Sequence, residues 1–157
     1  MSRFELTFTI PGNPGEGRVN AANKTSIRNG KINVSKTKRC ADFMAFVALV
    51  GRSAKARDPA AAKQIRESPV VAAIVTCYWG QRRKLPGTRR LAKGDVDASI
   101  KSTLDPLQDW YGKKPHQKPG AGIFDDDGRV VRATLVKLYD KTNPRTEVVL
   151  WGLEREP

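Results

Sequence analysis

Histidine is almost missing from this chain. Among 157 residues there is only His116, in a Lys- and Pro-rich stretch. A Ser-His-Asp triad or a zinc hydrolase site needs a histidine partner, so both are excluded unless His116 itself serves. Cysteine is equally scarce. Cys40 and Cys77 have no Cys or His at zinc-ligand spacing, and each falls in an apolar pattern, which reads as a buried free thiol. No apolar run is long enough to span a bilayer, and no basic amphipathic helix favours a membrane surface. The first residues alternate like a strand and lack the apolar block of a secretory signal, so the expected address is cytoplasmic. The glycines of Pro11-Gly-Asn-Pro-Gly-Glu-Gly17 are not followed by Gly-Lys-Ser/Thr, so no nucleotide cradle and no nucleotide cofactor are expected. There is no internal repeat.

Acid is the scarce charge. Sixteen Asp and Glu stand against 29 Lys and Arg, giving a formal net charge of +13. Such an excess favours a polyanionic partner, most often nucleic acid.

The pattern of elements predicts a single-domain α+β fold, a mixed β-sheet with helices packed against it. Phe4, Leu6, Phe8 and Ile10 alternate with polar residues as a half-buried strand. Asn29-Gly30 suggests a hairpin turn. A helix capped by Ser35 would carry Cys40, Phe43, Met44, Val47, Ala48 and Gly51 on its apolar face. A second, short helix starts at Asp58-Pro59 and closes at Ser68-Pro69. Val70 to Trp79 reads as a buried strand, and Gln81 to Lys93 as a basic loop too polar to pack. A helix from Asp97 to about Trp110 would be kinked at Pro106. Val130 to Tyr139 and Thr146 to Glu154 then form strands, expected to pair as an antiparallel hairpin.

The few acids are concentrated. Asp95 and Asp97 are one residue apart, and positions i and i+2 of an extended or turning backbone project to the same side. A helix starting near Asp97 places Lys101 and Asp105 on the same stripe, while Ile100, Leu104, Leu107 and Tyr111 form a docking stripe. Downstream come Asp125, Asp126 and Asp127. The bland interpretation is an N-cap at Asp97 and a surface pair with Lys101, worth a few tenths of a kcal/mol at most. The chemical one is a divalent cation site. Hard oxygen donors without histidine or cysteine select Mg²⁺ or Mn²⁺, and Asp95, Asp97 and one downstream aspartate suffice. Lys101 can neutralise charge developing on a phosphorane or orient the attacking water. The loop holding Arg82, Arg83, Lys84, Arg89, Arg90 and Lys93 leads directly into Asp95 and suits a DNA backbone. Phosphodiester hydrolysis fits both the acids and the surplus of base.

The ordered set Asp95-Val-Asp97, Lys101, Leu104-Asp105-Pro-Leu107 and Asp126-Asp127-Gly-Arg-Val130-Val131 resembles the RusA family of Holliday junction resolvases, common in phages and prophages. The opening Phe8-Thr-Ile-Pro-Gly-Asn-Pro14 and Arg18 also resemble that family's first strand and turn. The resemblance implies a RusA-like fold and a homodimer that cuts opposed strands of a four-way junction symmetrically with Mg²⁺ or Mn²⁺. By position, Asp95, Asp97 and Asp127 look like the metal-binding aspartates and Lys101 like the catalytic lysine. Asp126 precedes the third ligand and Asp105 supports the site from the helix. Asp127 is chosen by counting back from Val130-Val131; Asp125 and Asp126 are the alternatives. Ala98 stands where the family has an asparagine. That loss favours the rival expectation, a non-catalytic DNA-binding protein on the same scaffold. A third possibility is a basic structural or ribosome-associated protein.

Overall fold

The alternating residues at the start of the chain form β1, Glu5–Pro11, which buries Leu6, Phe8 and Ile10 and exposes the residues between them. The computed structural model describes residues 4–14, 23–28, 30–36, 38–84, 90–92 and 96–154; for 23–28, 31–36, 82–84, 90–92 and 96–98 it describes the backbone. β2 (Asn23–Arg28) and β3 (Lys31–Lys36) pair antiparallel around Gly30, whose φ of +70° suits a residue without a Cβ. Ser35 lies in β3 opposite Lys24, so it does not cap the next helix. That helix, α1, spans Lys38–Arg57 and buries Cys40, Met44, Val47, Ala48, Gly51 and Ala54.

Helix α2, Pro59–Glu67, starts as the sequence predicts. Asp58 accepts the Ala61 N–H at 3.0 Å, and Pro59 occupies the first turn, where its missing N–H costs nothing. β4 (Val70–Trp79) follows. The basic segment after it is not a plain loop, because β5 (Arg82–Lys84) and β6 (Arg90–Ala92) pair as a short ribbon. The next helix, α3, spans Val96–Leu104 and stops well short of Trp110. Pro106 cannot donate a backbone hydrogen bond, and its ring opposes the Ser102 carbonyl of a continuing helix. Asp105–Leu107 tightens into a 3-10 turn instead. A two-residue ribbon, β7 (Trp110–Tyr111) with β8 (Lys118–Pro119), leads to a second 3-10 turn at Asp127–Arg129 and to β9 (Val130–Tyr139) and β10 (Arg145–Leu153).

The main sheet has the order β1-β10-β4-β9. β10 is antiparallel to both β1 and β4, whereas β9 is parallel to β4. The fold is therefore α+β with a mixed sheet and helices packed against it. The expected β9–β10 hairpin is absent because β4 lies between the two strands. β4 is the most thoroughly buried strand and takes a neighbour on each edge. The connection from β9 to β10 passes the end of β4, where the Asp140 N–H donates to the Trp79 carbonyl at 3.0 Å. Leu6, Ile10, Val47, Ile65, Val75, Leu107, Ile123, Phe124 and Leu150 belong to one continuous core. Both cysteines are buried and neither is in a disulfide; burial pushes the Cys77 thiol up to about 11.

A tight crossing ties the end of α3 to the stretch that precedes the aspartates. The N–H groups of Gly120, Ala121, Gly122 and Ile123 donate to the carbonyls of Asp109, Pro106, Gln108 and Leu107, respectively. A Cβ at Gly120 would collide with the Gln108 carbonyl oxygen and lie 2.8 Å from that of Pro106. Gly120→Ala is expected to lower stability by about 1–3 kcal/mol. A reduced urea midpoint with an unchanged slope is the measurement that checks this.

Candidate active site

Of the residues singled out in the sequence, those described lie on α3, in the 3-10 turn that follows it, along the aspartate run before β9 and on the β5–β6 ribbon. α3 begins at Val96, so Asp97 lies inside its first turn rather than at the cap, where a carboxylate still complements the helix dipole. Asp97 is described through its backbone, and Asp95 lies outside the described residues. Lys101, one turn on, is exposed and reaches forward: its Nζ lies 3.3 and 3.2 Å from the two carboxylate oxygens of Asp105. Asp105 is itself buried, at 8 % exposure, at the start of the 3-10 turn. A buried carboxylate thus holds the Lys101 ammonium at the surface.

The buried face of α3 includes polar side chains. Ser99, Ser102 and Thr103 are all buried, and the last two turn their hydroxyls back onto the Ser99 carbonyl at 3.3 and 2.8 Å. Small residues with internally satisfied hydroxyls let the helix lie close to its neighbours. Those neighbours are α1, β4 and β9. Of the expected docking stripe, Ile100 and Leu104 are on α3 and Leu107 follows in the 3-10 turn, all against the core. Tyr111 instead packs with Cys40, Met44 and Ala48, and its neighbour Trp110 is 56 % exposed.

The three consecutive aspartates have different partners. Asp125 is paired with Arg129, whose hydrogen bond holds the Asp125 carboxyl below the usual carboxylate range. Asp126 accepts the Gly128 N–H at 2.7 Å and so caps the short turn. Asp127 is exposed, and among the described residues its carboxylate has no hydrogen bond or ion pair. It is the member of the run with its oxygens free for an external ligand. Immediately beyond it, the register between β4 and β9 shifts, with Val71 opposite Val130 and Ala72 opposite Arg132. A bulge of this kind redirects the strand and the turn that enters it.

Arg129 has no counterpart in the sequence-based expectations. Its guanidinium donates to the carbonyls of Ile65, Arg66 and Ser68, the exposed C-terminal end of α2, and also to Asp125. It therefore staples the aspartate run to α2 while offsetting the negative end of that helix. Only its spacing of four from Asp125 hinted at the pairing. Arg66, in the last turn of α2, makes a bidentate pair with Asp109 at 2.7 and 2.9 Å and holds that carboxyl down as well. Asp140 is held down by the Asn143 N–H and the Thr142 hydroxyl.

The basic residues expected to meet DNA fall on or beside the β5–β6 ribbon. Arg82, Arg83, Lys84 and Arg90 are strand residues, with Lys84 and Arg90 direct cross-strand partners. Arg89 and Lys93 lie outside the described residues. β6 adjoins β9, so the ribbon borders the strand that follows Asp127. His116 is exposed in the β7–β8 connection, where its N–H donates to the Lys113 carbonyl.

Three carboxylates with depressed values give the pH dependence a definite sign. Asp109, Asp125 and Asp140 bind protons more readily in the unfolded chain. Their stabilisation is fully present above the unfolded value, about 4, and is lost as pH falls through the lower folded values. The urea midpoint is expected to hold from neutrality to about pH 5 and to decline below about pH 4. Asp109→Asn should flatten that decline.

No helix among the described residues is long and apolar enough to cross a membrane. Compared with known protein families the chain matches none, and no curated protein matches it.

Proposed function

We propose that the protein is a metal-dependent, structure-selective DNA endonuclease that resolves four-way junctions by paired nicks. The observation that carries the proposal is the packing of α3, which holds Asp97 and Lys101, against β9, the strand that begins three residues after Asp127. In a chain so poor in acid, carboxylates on α3 and at the entry to β9, the strand that the basic ribbon borders, suit a cation and a polyanion together.

The donor set fits a hard cation. Asp127 has no partner among the described residues, and with it Asp95 and Asp97 would complete a set of carboxylates for Mg²⁺ or Mn²⁺. When bound, such an ion supplies Lewis acidity to the scissile phosphate and a lowered pKa to a coordinated water. The chain's own residues do the rest. Lys101, steadied by Asp105, places positive charge where the phosphorane develops, without rearrangement at the moment of reaction. Asp126 and Arg129 fix the turn so that Asp127 faces outward. The ribbon residues Arg82, Arg83, Lys84 and Arg90, with Arg89 and Lys93, would guide the phosphate backbone. Symmetric cutting requires two sites, hence a homodimer.

A labelled four-way junction, incubated with and without Mg²⁺, tests this. Paired nicks that depend on the metal and are absent on linear duplex are the expected result. Junction binding with no nicking in Mg²⁺ or Mn²⁺ would leave a DNA-binding protein on the same scaffold, the alternative favoured by Ala98. Equal affinity for junction, duplex and RNA would indicate a basic structural protein.

A further inference from the structure

A cleft of about 570 Å³ lies between α1 and α2. Its walls carry Arg52, Lys55, Lys63 and Arg66, and its floor includes the small residues Ala62 and Ala121. The cations are placed with care. Arg52 Nη1 donates to the Gly120 carbonyl at 3.0 Å, and Lys55 Nζ donates to the Gly122 carbonyl at 2.9 Å. A neutral carbonyl orients a cation without cancelling its charge, and each group keeps further donors for a ligand. Carboxylates do answer some of this charge: Arg66 pairs with Asp109, and Lys63 lies 3.8 Å from Glu67, which is also on the cleft wall. Four cations against two carboxylates still leave an excess of two positive charges.

We infer that this cleft holds the sugar–phosphate backbone of a DNA arm flanking the scissile phosphate. The inference rests on the nuclease proposal for the identity of the polyanion. Three features select that occupant. The surplus charge calls for an anion, and two of its bearers are pre-oriented. The small floor residues allow a backbone to approach closely, with the apolar edge of deoxyribose against alanine. The cleft also lies near the start of the acidic run: Arg66, on its wall, is close enough to feel the Asp125 charge, and Arg129, paired with Asp125, donates to the Arg66 carbonyl. The basic ribbon borders β9, the strand that follows Asp127, and would add positive surface for the same DNA.

The test is the salt dependence of junction binding in EDTA, where cleavage cannot interfere. Neutralised phosphates set the slope of log K against log salt, at roughly 0.9 per contact on duplex DNA. Lys63 is the safest position, since its side chain is 74 % exposed and its only ion pair among the described residues is a long one. Lys63→Glu, alone and with Lys55→Glu, is expected to reduce the slope by about one per lysine and to weaken binding. Lys63→Arg should retain the wild-type slope. Lys141→Glu makes the same charge change beside Asp140, at the opposite end of β4, and should move the slope far less. Unchanged slopes in the cleft variants, or an equal shift in Lys141→Glu, would overturn the inference. Metal-dependent nicking by the wild type, measured in parallel, reports separately on the nuclease proposal. Wild-type protein that binds no DNA would overturn both.

Discussion

Asp97→Asn is expected to abolish magnesium-dependent junction cleavage, by about two to three orders of magnitude, while leaving junction affinity in EDTA unchanged. Asparagine has nearly the shape of aspartate, so the first turn of α3 should persist. What disappears is the negative charge that a hard cation requires. Asp127→Asn should behave in the same way, because that carboxylate has no structural partner among the described residues to lose. Asp125→Asn makes the informative contrast. It weakens the pair with Arg129 and should cost stability before it costs rate. Single-turnover rates and melting curves on the three variants would separate a ligand from a staple. Equal rates for Asp97→Asn and wild type would end the assignment.

Phe124→Ala should have the largest effect on stability, lowering it by about 3–5 kcal/mol. The side chain is fully buried in the main core and directly precedes the aspartate run. Its removal leaves a cavity and also loosens the anchor from which Asp125, Asp126 and Asp127 extend. A domain of this size has a total stability of about 5–15 kcal/mol, so the variant should lie near the edge of folding. A collapsed urea midpoint, with residual activity restored on cooling toward the stability maximum, is the expected pattern. A change below about 1 kcal/mol would show that the site tolerates the void.

The elements that could be read in the sequence are those dictated by local rules. β1 is legible because Leu6, Phe8 and Ile10 alternate with polar residues, and α2 because Asp58 and Pro59 announce its start. Pairing between distant segments was not legible. β9 and β10 are adjacent in the chain and look like a hairpin, yet β4 separates them. Nothing local in β9 reveals its preference for a parallel neighbour some sixty residues earlier. The same limit applies to the site. The spacing to Val130 favours Asp127, but the partners that occupy its neighbours, Arg129 for Asp125 and the Gly128 N–H for Asp126, could not be read from it. Arg129 reaches carbonyls of α2 that are remote in sequence. Likewise Arg52, Lys55, Lys63 and Arg66 read as ordinary helix-surface charges until two helices bring them to one cleft.

The strand order has a consequence for how the chain is made. β10 lies between β1 and β4, yet of the four strands of the sheet it is synthesised last. Until it arrives, the first strand has no ladder partner in the sheet, and the most apolar strand has one side open. Premature termination between Tyr139 and Arg145 would therefore leave two hydrogen-bonding margins bare at once, ready to recruit foreign strands. The acids on which the proposed chemistry depends would already be present in such a fragment, without the strand that closes the sheet on which they stand.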